Sequence, residues 1–188
     1  MKIELTRLPG VVVIEPRRFE DERGFFLETW QRERYRAAGV ADDFAQDNHS
    51  YSRKGVLRGL HFQMRRSQGK LVTVIRGRIF DVAVDVRRDS PTFGHWTGAE
   101  LCDVGPRQMY LPPGFAHGFC VLSDVADIHY KVTDFYDPAD EAGILWSDPG
   151  IGIVWPLSAP LTSARDAAYP KLSDFPRERL PAFSGGGS

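Results

Sequence analysis

Hydrophobic and polar positions alternate in short runs along most of this chain, the period of strands that bury one face. Residues 79–86 (IFDVAVDV) give the clearest case. Phe80, Val82, Val84 and Val86 fall on one side, and Ile79, Asp81, Ala83 and Asp85 on the other. Together with residues 71–75 and the Arg76–Gly77–Arg78 turn, this run predicts a β-hairpin. Residues 11–14 are β-branched and closed by Pro16, and 25–30 follow a charged loop over 20–24; both read as strands. Further strands are predicted at 97–101, 108–111, 118–122 and 128–136. Helical composition is confined to 31–38 (QRERYRAA), where Gly39 is placed to end the helix. Residues 137–181 hold seven prolines and read as loops and short turns packed on the body. Many short strands with one early helix predict an all-β jelly roll over an α/β layer fold, and a jelly roll encloses an elongated cavity.

Two segments break the alternation with polar groups. Residues 46–70 (QDNHSYSRKGVLRGLHFQMRRSQGK) place His61 among strand formers and crowd Gln46, Asp47, Asn48, Arg58 and Lys70 around it. Residues 110–119 (YLPPGFAHGF) do the same with His117. A sheet interior accepts buried polar groups only when they are paired, so this cluster points to a lined pocket rather than a solvated face. Arg58 and His61 are three apart, so a regular strand would send them to opposite faces. Both serve one cavity only if the chain deforms between them, with Gly59 the place for a bulge, or if one reaches around the rim. Asp81, on the polar side of its strand, reads as a structural hydrogen-bonding group.

Composition narrows the partners. The 188 residues are 42% hydrophobic and 12% aromatic, and residues 1–183 are expected to form a single domain. A net charge of −1 leaves no basic footprint for nucleic acid or an anionic membrane, so an anionic ligand must be held by local Arg and Lys. The opening residues lack the apolar core of a signal peptide, and no apolar run approaches membrane-spanning length. Cys102 and Cys120 show neither metal spacing nor a disulfide framework and read as free thiols; the cytoplasm is the expected compartment. Residues 184–188 (SGGGS) have flexible-linker composition and are expected to lie outside the fold.

The polar segments belong to a longer series: RGFF with Glu28, QDNHSYS, GVLRGLHFQ, QGK, GRIFDVAVDVR, YLPPGFAHGF, YKVTDFYDP with Glu141, WSDPGIGIVWPL and SARDAAYP. In these motifs and their order, over about residues 9–171, the chain resembles the dTDP-4-dehydrorhamnose 3,5-epimerase family, the cupin-type sugar-nucleotide epimerases. The resemblance implies a double-stranded β-helix, a metal-free site without cofactor, a homodimer and a deoxysugar nucleotide substrate. It also implies roles. Inverting a carbon beside a ketone needs a base, a stabiliser of the enolate oxygen, and an acid on the opposite face.

His61 is the candidate base, with Asp166 as the carboxylate that orients it. Tyr130 is the candidate acid, on the strand side shared by Ile128, Val132 and Asp134. Lys70 is the candidate oxyanion stabiliser. Arg58 and Arg23 suit a diphosphate. Glu28, Gln46, Asp47, Asn48, His117 and Glu141 match substrate contacts, some across the dimer interface. Arg165 departs from the pattern, because relatives often carry lysine there; the charge is kept while reach and geometry change.

Rival readings stay open. A metal-dependent cupin wants paired histidines, and HFQ around His61 offers no His-x-His. A protein that binds a sugar nucleotide without turning it over needs no base, acid and lysine together. An epimerase acting at C3 or C5 alone would use the same trio.

Overall fold

The computed structural model describes residues 1–183; the linker expected at 184–188 lies outside the described residues. Thirteen strands follow in order: β1 (Lys2–Leu5), β2 (Val12–Glu15), β3 (Arg18–Asp21), β4 (Gly24–Leu27), then after helix α1 (Arg32–Ala37) β5 (Gln46–Arg53), β6 (Leu57–Gln63), β7 (Lys70–Arg76) and β8 (Arg78–Asp85). They continue with β9 (Trp96–Cys102), β10 (Gln108–Leu111), β11 (Phe115–Val121), β12 (Val125–Val132) and β13 (Glu141–Gly143). The C-terminal segment adds helix α2 (Ala164–Ala167) and two 3₁₀ turns. No helix among the described residues is long and apolar enough to cross a membrane.

Two antiparallel sheets face each other. One is ordered β1-β2-β10-β7-β12-β5, the other β13-β6-β11-β8-β9, and β3-β4 form a separate ribbon. This is the jelly-roll arrangement expected of an all-β chain. Val72, Val74, Met109 and Ile128 from the first sheet meet Ile79, Ala83, Leu101 and Phe115 from the second in the space between them. Burying large aliphatic and aromatic groups there supplies the main drive to fold, about 1.5–3 kcal/mol per side chain.

Strand β8 of the second sheet is buried on both sides. Val82, Val84 and Val86 point outward and are covered by Ile144, Ile151, Leu172 and Leu180 from the C-terminal segment. The proline-rich tail therefore roofs the sheet, while the side of β8 that carries Asp81 and Asp85 faces inward. Outside the first sheet, Tyr35 of α1 packs with Val12, Ile14, Leu71 and Tyr110. Gln31 caps that helix by accepting from the Arg34 amide, and Gly39, at φ +91°, turns the chain away.

One sequence expectation fails. Residues 71–75 and 79–86 do not form a hairpin: β7 pairs with β10 and β12, whereas β8 pairs with β9 and β11. Gly77 is a corner at which the chain passes from one sheet to the other. Its φ is +88°, its amide donates to Asp103 Oδ2 at 3.0 Å, and a Cβ there would stand 2.1 Å from the Val125 carbonyl oxygen. A local run of two strands and a turn looks alike whether the strands pair with each other or with distant partners. The strands predicted at 25–30 and 128–136 are also shorter, ending at Leu27 and Val132.

Candidate active site

Period two along the strands decides which polar side chains enter the space between the sheets. On β5, Gln46, Asn48 and Ser50 share one side and line a cavity of about 340 Å³. Lys70 opens β7 on the side of Val72, and Tyr130 follows Ile128 on β12, so both join them from the first sheet. The second sheet contributes Arg58, His61, Gln63, His117 and Phe119, and β13 contributes Glu141.

Arg58 and His61 reach this one cavity because β6 is irregular. The ladder pairs His117 with His61 but Phe119 with Arg58, so Gly59 and Leu60 of β6 oppose the single Gly118 of β11. Gly59 sits inside the bulge at φ +131°, and the Gly59–Leu60 peptide is cis. A Cβ on Gly59 would lie 2.5 Å from Gly118 Cα, so glycine is required both for conformation and for room.

His61 Nε2 lies 2.8 Å from Asp166 Oδ1. Asp166 is buried, 3% exposed, and comes from α2, whose N-cap Ser163 accepts from the Asp166 amide. Burial pushes the Asp166 carboxyl up. The hydrogen bond and charge of His61, with the Gly59 amide and Ser163, outweigh that and hold it below the ordinary carboxylate value. An ionised Asp166 accepts only, so Nε2 carries the proton and the other imidazole nitrogen is left free as a base.

Lys70 is 9% exposed. Burial brings its ammonium down to about 8, opposed by the charges of Glu141 and Asp81. No ion pair closes on Lys70 among the described residues. Burial pushes the Tyr130 phenol up, with Arg58 opposing and Glu141 adding, so the phenol holds its proton at neutral pH. His117 Nε2 lies 2.7 Å from Oδ1 of the fully buried Asp81, the structural hydrogen bond expected of that aspartate. Chemically, the cavity offers a carboxylate-oriented imidazole on one sheet and, on the other, a protonated phenol and a cation held partly out of water.

Not every residue marked in the sequence arrives. Asp47 alternates to the outside of β5, 2.8 Å from Lys131 Nζ. Arg23 stands at the tip of the β3–β4 ribbon, 84% exposed and paired with Asp21. Glu28 pairs with Arg34. None of these three lines the cavity of its own chain. Arg165 lies at the rim, with Nη2 2.5 Å from Glu141 Oε2. Arg58, His61 and Arg165 also line a second opening of about 390 Å³ beside Ser163 and Asp166.

Sequence reading missed Ser50, Gln63, Gln68, Phe119 and Tyr136 in the wall. Ser50 was accessible from its alternation with Gln46 and Asn48. Tyr136, whose hydroxyl donates to Glu141 Oε2 at 2.9 Å, lies past the end of β12, where periodicity gives no signal. Among the described residues no group of three or more His, Cys, Asp or Glu is arranged to hold a metal ion.

Comparison with known proteins identifies the family. The family model described as dTDP-4-dehydrorhamnose 3,5-epimerase matches residues 5–174. The dTDP-4-dehydrorhamnose 3,5-epimerase of Pseudomonas aeruginosa is 54% identical over 176 residues, covering 93% of this chain and 97% of its own. That of Shigella flexneri is 51% identical over the same shares. A solved dTDP-6-deoxy-D-glucose-3,5-epimerase from Legionella pneumophila, in complex with dTDP-4-keto-L-rhamnose, has a TM-score of 0.95 and 48% identity, covering 98% of this chain and 99% of its own.

Proposed function

Because the chain belongs to the dTDP-4-dehydrorhamnose 3,5-epimerase family, we propose that it inverts C3 and C5 of dTDP-4-dehydro-6-deoxy-D-glucose to give dTDP-4-dehydro-L-rhamnose. It is an isomerase. The observation that carries the mechanism is that His61, backed by Asp166, enters the cavity from one sheet while Tyr130 and Lys70 enter from the other.

C3 and C5 both flank the C4 ketone, so each C–H bond is acidified by the substrate itself and no cofactor is required. The free nitrogen of His61 takes the proton, and the C–H electron pair passes through C4 to its oxygen, giving an enolate. Lys70, charged below about pH 8, meets the developing oxyanion. Tyr130 then returns a proton to the opposite face and becomes a phenolate, which regains a proton from water, as His61 loses its own. Asp166 stabilises the imidazolium without taking the proton.

Arg58 lines both openings, and with Arg165 it offers guanidinium groups where a diphosphate leaving the sugar cavity would lie. Gln46, Asn48, His117 and Glu141 line the same cavity and would bind sugar oxygens. Arg23 and Glu28 lie away from their own cavity, next to an exposed ribbon bearing Phe25 and Phe26. They would serve a site only in a homodimer, where the ribbon of one protomer reaches its partner. Asp47, on the outer side of β5, would bind substrate only by the same route. Free Cys102 and Cys120 fit work in the cytoplasm.

NMR of the product formed in deuterated water from the dTDP-linked 4-keto sugar tests this reading. The expected result is an L-configured product deuterated at both C3 and C5. Deuterium at one centre would make the enzyme a single-centre epimerase, and none would make it a binding protein.

A further inference from the structure

One aromatic ring packs directly on the His61 imidazole. A single hydrogen bond to Asp166 is a pivot about which an imidazole can still swing, and a base must hold its free nitrogen on the C–H bond. Tyr169 touches the same imidazole from a second direction. Its ring centroid is 5.7 Å from that of His61, with the planes at 68°.

The local architecture makes room for this contact. Gly143 is the ladder partner of His61 on β13, and a Cβ on Gly143 would lie 2.3 Å from Tyr169 Cε2. The tyrosine ring thus occupies the space that a side chain beside His61 would have filled. Just after it, the Pro170 carbonyl accepts from the Leu145 amide at 2.8 Å, which ties the segment to the chain leaving β13. The Arg165 guanidinium lies 5.7 Å from the Tyr169 centroid on its way to Glu141. The Tyr169 hydroxyl is buried and has no hydrogen-bond partner among the described residues, so packing of the ring, not the hydroxyl, sets its position.

We infer that Tyr169 is a positioning residue, fixing the plane of the His61 imidazole so that its free nitrogen is held on the substrate C–H bond. This deepens the proposed function and rests on it for its kinetic consequence.

The test combines kinetics with a readout that needs no substrate. Small misplacements of a base cost rate rather than binding, so Tyr169→Ala should lower kcat roughly tenfold with KM within about twofold. Tyr169→Leu, which restores apolar bulk without a ring plane, should fall with it, and Tyr169→Phe should stay near the unmodified enzyme. In parallel, the His61 ring-proton resonances, identified by their loss in His61→Ala, should lose the ring-current shift in Tyr169→Ala and Tyr169→Leu and keep it in Tyr169→Phe. Unmoved His61 resonances in Tyr169→Ala, unchanged kcat in that variant, or a Tyr169→Phe enzyme as slow as Tyr169→Ala would overturn the inference. If the unmodified enzyme takes up no solvent deuterium, the proposed function fails instead, and the resonances still decide the placement.

Discussion

At the residue scale, Lys70 separates chemistry from stability. Its ammonium is brought from an ordinary 10.5 down to about 8 because it is buried, so the folded chain binds this proton less tightly than the unfolded one. Below about pH 8 the buried charge opposes folding, and that cost is lifted as pH rises between about 8 and 10.5. The proposed mechanism needs the opposite, a charged Lys70. Activity should therefore fall as pH rises through about 8. Lys70→Met should lower kcat by roughly 10²–10³-fold while leaving Tm at pH 7 equal or higher, since replacing a buried charge by an apolar group is often stabilising. A pH–rate profile and a thermal melt of the two proteins check both halves. The sequence showed Lys70 as a polar residue among strand formers, but not its burial, because burial is set by packing between the two sheets, which no local pattern reveals. Asp47 shows the converse: its neighbours Gln46 and Asn48 point inward, and strict alternation sends it out to Lys131.

At the element scale, the bulge in β6 gathers Arg58 and His61 into one wall. Gly59→Ala must place a Cβ against Gly118 with the backbone at φ +131°. The expected cost is about 2–5 kcal/mol of stability, with loss of activity beyond the loss of folded protein, as measured by denaturant melts and by kcat per folded molecule. This feature was legible beforehand, since two residues three apart cannot share a face of a regular strand, and of the two residues between them Gly59 is the one that tolerates a bulge. The partners of β7 and β8, which the sequence paired with each other, were not legible. Strand positions follow from local periodicity, whereas strand partners follow from contacts far apart in the chain; only the latter reveal that Gly77 is a corner between sheets. The C-terminal segment, read mostly as loops and short turns, also supplies β13 and α2, and nothing local in it marks Asp166 as the partner of a histidine 105 residues away.

At the scale of the whole molecule, buried carboxylates tie the loops to the sheets. Asp85 is fully buried and accepts from the Arg87 amide and guanidinium, Ser90 and Thr92. Asp140 accepts from the amides of Arg65 and Arg66 and from the Arg65 side chain. Burial pushes both carboxyls up, but these donors outweigh it and hold them below the ordinary value. Their contribution is full above about pH 4, the unfolded carboxylate range, and is lost as pH falls through the lowered folded values. Tm should therefore be nearly level between about pH 5 and 7 and drop below about 4. Asp85→Asn should cost roughly 3 kcal/mol at pH 7, by leaving the half-buried Arg87 without its carboxylate, and should flatten the acid slope. The same two-sheet frame that these groups secure sets an imidazole on one wall and a phenol on the other. Solvent-deuterium uptake into the 4-keto sugar by His61→Ala, with Tyr130→Phe alongside, tests that arrangement most directly. The expected result is uptake lowered by roughly 10²–10⁴-fold in His61→Ala, and continued uptake with little completed inversion in Tyr130→Phe. Full turnover by His61→Ala would contradict it.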